Sequence, residues 1–80
     1  MNIYTTKFTA LCPVNGKPIT YCLKIKHINK ILVEDILKEV NKFTSALHED
    51  IADELFSKFS GRQRLIANHH GVVIETKRKI

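Results

Sequence analysis

The chain has 80 residues, 44% of them hydrophobic, and carries 13 lysines and arginines against 8 acidic residues, a formal net charge of +5. This length makes one domain over residues 1–80 with a small core, and no apolar run approaches the roughly 20 residues of a membrane-spanning helix. With only two cysteines, Cys12 and Cys22, and no leader pattern, a disulfide framework is excluded, and free thiols in a cytoplasmic protein are expected.

From Asn2 to Leu11 the residues Ile3, Tyr4, Thr5, Thr6, Phe8 and Thr9 are β-branched or aromatic and predict a strand. A second strand follows over Pro18–His27, where Ile19, Tyr21, Leu23 and Ile25 alternate with Thr20, Cys22, Lys24 and Lys26. Asn15-Gly16 between them readily takes the positive φ of a hairpin turn. Past Asn29 the spacing of Leu32, Ile36, Val40 and Phe43, joined by Ile28, Ile31 and Leu37, predicts an amphipathic helix. Thr44-Ser45 offers a break and an N-cap, and Leu47, Ile51, Leu55, Phe56 and Phe59 predict a second helix stopped by Ser60-Gly61. From Arg62, Leu65, Ala67 and His69 alternate with Arg64, Ile66, Asn68 and His70; Gly71 interrupts, and Val72–Thr76 resume a β-rich run. The order ββααββ predicts an α+β fold: a four-stranded antiparallel sheet with both helices on one face.

Cys12, at a strand end before a turn, is either an accessible thiol on a rigid frame or a small buried residue beside the turn. Cys22 lies mid-strand, out of phase with the apolar positions, and reads as structural. His48-Glu49 opens the second helix, where the dipole favours a carboxylate; Glu49 is either solvated at the helix start or, when buried, suited to gripping the adjacent N–H donors of a guanine-like base. The acidic residues Asp50, Asp53 and Glu54 read as a solvated face. His69 and His70, as neighbours on a strand, point apart and make a poor metal pair, so no metal is expected. Arg62, Arg64, Lys77, Arg78 and Lys79 concentrate positive charge in the last third, either as a solvated surface or as a footprint for phosphates.

The stretch FTALCPVNGKPI, Phe8 to Ile19, resembles the Phe-Thr-x-Leu-Cys-Pro-x-Thr-Gly-Gln-Pro-Asp motif of the 7-cyano-7-deazaguanine reductases, the QueF family. Leu47-His48-Glu49-Asp50 resembles their Phe-His-Glu-x segment. The resemblance implies a tunnelling fold whose subunits close into an oligomeric barrel with interfacial sites. It also implies that Cys12 attacks the nitrile carbon to form a thioimide, and that Glu49, with His48 beside it, anchors the deazaguanine base.

Two departures from the reductase pattern bear on its chemistry. Ile19 stands where the family has an aspartate as proton donor and acceptor. Lys30-Ile31-Leu32-Val33-Glu34-Asp35-Ile36-Leu37-Lys38 replaces the Glu-x-Lys-Ser-x-Lys segment that contacts NADPH. The chain is therefore more similar to the short archaeal-type amidinotransferases, which need no cofactor and add ammonia to the nitrile of 7-cyano-7-deazaguanine in transfer RNA, forming archaeosine. The alternatives are an NADPH-dependent reductase of queuosine biosynthesis acting on the free base, and a non-catalytic nucleobase- or RNA-binding module.

Overall fold

A computed structural model describes residues 1–79. The elements run β1 (Asn2–Leu11), β2 (Pro18–His27), α1 (Val33–Val40), α2 (His48–Phe59), β3 (Arg62–His69) and β4 (Val72–Arg78). The strands form one four-stranded antiparallel sheet in the order β1-β2-β3-β4. Registers such as Phe8 opposite Tyr21, Tyr21 opposite Ala67 and Ala67 opposite Ile74 place the buried apolar members of the strands on one face. That face meets Ile36 and Val40 of α1 and Ile51, Ala52, Leu55 and Phe59 of α2. Burying Leu23, Ile25, Leu55 or Leu65 stabilises the fold by about 1.5–3 kcal/mol each. The expected α+β architecture is met.

Three local expectations need correction. The first helix was expected to begin just past Asn29, but it starts at Val33. The backbone before it is engaged elsewhere: the Asn29 N–H donates to His27 Nδ1 at 2.9 Å and the Ile31 N–H to the Tyr4 hydroxyl at 3.0 Å. Phe43 is buried as its periodicity required, yet it lies beyond the end of α1.

Thr44-Ser45 is not the cap of α2. Leu47 takes that position with extended backbone and no side-chain hydrogen bond. The Thr44–Ala46 segment instead runs beside the end of β1: the Leu11 N–H donates to the Thr44 carbonyl at 2.8 Å, and the Ala46 N–H to the Leu11 carbonyl at 3.3 Å. This short parallel bridge sets the first turn of α2 against the chain that carries Cys12.

The β1–β2 connection is longer than a two-residue hairpin turn. Cys12 donates its N–H to the Lys17 carbonyl at 2.8 Å and accepts from the Gly16 N–H at 2.7 Å, with Gly16 at φ 72°. In the β3–β4 connection His70 and Gly71 both have positive φ, as a tight hairpin requires. Asn15 Nδ2 lies 2.8 Å from His70 Nε2, so the two hairpin tips meet at one end of the sheet.

Candidate functional site

At that end lies a cavity of about 310 Å³, a size suited to a small molecule. Cys12 enters from the β1–β2 connection, Leu47, His48 and Glu49 from the start of α2, and His69 from the end of β3. Tyr21 of β2 forms part of the wall. The fold thus brings Cys12, His48 and Glu49, far apart in sequence, onto one cavity.

Their environments differ. Cys12 is half-buried and packs against the core, so both its accessible and its apolar readings hold in part. Glu49 is exposed in the single chain, as the solvated reading has it and not the buried one, and makes no hydrogen bond or ion pair among the described residues, leaving both carboxylate oxygens free at the start of α2. His48 is only 5% exposed. Its Nε2 lies 3.2 Å from the Leu65 carbonyl and its Nδ1 lies 2.9 Å from His69 Nε2, so both nitrogens are engaged inside the protein. In this arrangement His48 offers the cavity its ring and not a free polar atom.

Among the cavity residues that sequence reasoning missed are Tyr21 and His69. The signal existed: His69 is in phase with Leu65 and Ala67, and that alternation places it on the helix-covered face. His70 belongs to the turn and bonds to Asn15, so the neighbouring histidines serve different contacts. Tyr21 stacks on Phe8 with ring centroids 5.2 Å apart, and it meets His69 edge-on at 5.8 Å. Burial, reinforced by the nearby Cys12 sulfur, pushes the Tyr21 phenol above its ordinary value. His48 is pushed below the ordinary histidine value by burial and then by the facing His69. His69 is lowered by burial and then by His70.

Ile19 is 3% exposed and faces the core from the start of β2, opposite Ala10. It is not among the residues that wall the cavity.

The basic residues of the last third separate by face. Arg62, Arg64 and Lys77 lie on the face without helices, in phase opposite to Gln63, Leu65 and Thr76. Arg78 lies on the other face and pairs with Asp53 of α2, with its terminal nitrogen 3.0 Å and Nε 3.1 Å from Oδ1. It is therefore not a free cation beside the others, and Asp53 does not merely meet water. Lys79 follows β4 and borders the groove formed with Lys26 and Arg62.

Two lysines of β2 join the open face, because the register sets Lys24 opposite Arg64, Arg64 opposite Lys77, and Lys26 opposite Arg62. Like charges directly opposite one another destabilise a sheet. Glu75 relieves one row by approaching Arg64 at 3.1 Å and Lys77 at 3.7 Å. The Lys26–Arg62 end lies about 23 Å along β3 from the cavity, at about 3.3 Å per residue.

No family model and no curated protein matches the chain. Among solved structures, it is similar to the crystal structure of the archaeosine synthase QueF-Like in the apo form. The TM-score is 0.76 at 17% identity, covering 96% of this chain and 89% of that chain. At this identity the likeness establishes the shared ββααββ fold, which is the fold that the sequence resemblance implied.

Proposed function

We propose that the chain modifies the nitrile of a 7-cyano-7-deazaguanine base through Cys12, as an ammonia-dependent amidinotransferase acting on that base in transfer RNA. The observation that carries this reading is the convergence of Cys12, His48 and Glu49 on one cavity, within a fold shared with a protein described as an archaeosine synthase. The free carboxylate of Glu49 is matched to the adjacent N–H donors of a guanine-like edge. The apolar wall of Tyr21, Leu47 and Ile74 suits a flat aromatic ring. A soft thiolate adding to an electrophilic nitrile carbon gives a thioimide, and ammonia displaces the sulfur to leave an amidine. No cofactor enters this reaction.

The transfer RNA part of the reading is supported by the cations of the open sheet face, where Arg62, Arg64 and Lys77 stand with Lys24 and Lys26. A homo-oligomer with cavities completed at subunit interfaces belongs to the same reading. The exposure of Glu49 and of the cavity rim at Leu47 is what such a neighbour would cover.

A second reading, a non-catalytic base- or RNA-binding module, is favoured by one observation: Ile19 puts a buried hydrocarbon where the reductases carry an acid. Intact-mass measurement after incubation with the nitrile base separates the two. The expected result is a single adduct on the wild type and none on Cys12→Ala. Binding without an adduct favours the module, and an adduct that survives Cys12→Ala rules out the thioimide. Adding ammonia to substrate transfer RNA is expected to yield archaeosine; NADPH consumption with the free base would instead establish the reductase.

A further inference from the structure

This inference rests on the reading that Cys12 adds to a nitrile. Such an addition leaves negative charge on nitrogen and needs a proton from a residue at the cavity, which Ile19 cannot supply. The hydrogen-bond order of the two imidazoles identifies where that proton can sit. The Leu65 carbonyl can only accept, so His48 Nε2, 3.2 Å away, carries the hydrogen. A neutral His48 then has a lone pair at Nδ1, and the 2.9 Å bond is donated by His69 Nε2–H. His69 keeps a lone pair at Nδ1, which has no hydrogen-bond partner among the described residues. Of the four ring nitrogens, this is the one that accepts a proton without breaking a hydrogen bond.

We propose that His69, held in this tautomer by His48, is the proton-transfer residue of the cavity and takes the place of the missing carboxylic acid. Across the cavity that both residues line, His69 Nδ1 takes the proton of Cys12 Sγ through one intervening water, since the two side chains make no direct hydrogen bond, giving thiolate and imidazolium. The Sγ–C bond forms as one π bond of the nitrile breaks, and the Nδ1 proton moves to the nitrile nitrogen, leaving His69 and the thioimide neutral. Ammonia then adds to the same carbon. The Sγ–C bond breaks, and the proton that ammonia loses returns through His69 to the thiolate. Nitrile and ammonia become amidine with no other reactant consumed.

The titratable groups that line the cavity with His69 are Tyr21 from β2, His48, Glu49 and Asp50 from α2, and Cys12 from the β1–β2 connection; His48 and Tyr21 touch its ring, and His70 adjoins it in the chain. Burial and His70 hold its pKa below the ordinary histidine value, so the imidazole is neutral and able to accept near pH 7.

Nitrogen-detected NMR of the wild-type histidines is expected to place hydrogen on Nε2 of both His48 and His69; hydrogen on His69 Nδ1 in the neutral pair overturns the proposal. His69→Gln keeps an amide donor toward His48 but removes the titrating nitrogen. With 2-cyanopyrimidine as a generic nitrile probe, adduct formation on Cys12 is followed by mass from about pH 5 to about pH 9. The expected result for His69→Gln is a rate about a hundredfold lower near pH 7, with loss of the inflection below pH 6.5 that marks the wild-type imidazole. An unchanged rate and pH profile overturns the role of His69. If the wild type reacts with the probe but not with 7-cyano-7-deazaguanine, the substrate assignment fails while the His69 result stands. If it reacts with neither, both fall.

Discussion

Position 19 is where residue chemistry and packing meet most directly. An aspartate there would restore the reductase motif on paper. Yet the side chain faces the core beside Ala10 and Tyr21 and lies off the cavity wall, so a carboxylate would be buried without a partner. We expect Ile19→Asp to destabilise the fold by about 3–5 kcal/mol, as for an uncompensated buried charge, and to bring no gain in Cys12 reactivity. Chemical denaturation with mass-detected adduct formation checks both; a stable variant that reacts faster would show that position 19 does reach the cavity. His48 illustrates the converse. Its polar atoms are spent on Leu65 and His69, so its importance lies in what it holds and not in a free donor.

At the scale of elements, the site depends on how α2 is delivered and ended. The bridge between Leu11 and Thr44–Ala46 brings its first turn to the end of β1, and Gly61 returns the chain into β3 immediately after it. Gly61 has φ 76°, and an added Cβ would lie 2.8 Å from both the Lys26 carbonyl oxygen and His27 Cδ2. Gly61→Ala is therefore expected to cost about 1–3 kcal/mol for the strained backbone alone. The steric clash adds to that cost, and the loss is read as a lower urea midpoint with unchanged slope. A midpoint equal to wild type would mean that the β2 backbone yields freely. Gly16 and Gly71, with open space around them, carry no such packing demand.

For the whole molecule, the order β1-β2-β3-β4 makes β1 and β4 the sheet edges, and among the described residues neither is covered by another strand apart from the bridge of Thr44–Ala46 to Leu11 at the end of β1. Open edges are templates for pairing with further chains. Exposed Ile3 and Val73 near those edges add apolar surface that assembly would bury. Under the proposed barrel, static light scattering gives a mass several times 9.2 kDa; a single-chain mass overturns the interfacial site. The open cationic face has a related logic, since Lys26 and Arg62 stand directly opposite one another and keep like charges side by side at a cost to stability. An anionic partner relieves that repulsion.

The strands and the two helices were legible in the sequence because alternation at period two and recurrence at three and four residues record which face is buried. The same alternation carried His69 onto the buried face and Lys24 and Lys26 onto the open one, although its meaning emerged only when the strands were paired. Cys12, His48 and Glu49 were singled out by motif, and their convergence depended on the Leu11–Thr44 bridge, a contact between segments more than thirty residues apart that no local pattern encodes. The start of α1 and the cap of α2 escaped sequence reading for the same reason: distant groups such as the Tyr4 hydroxyl claimed backbone that local propensity had offered to a helix. The local sequence determined which face each residue occupies. Tertiary packing decided which residues meet, and so spent the nitrogens of His48 and left the free one on His69.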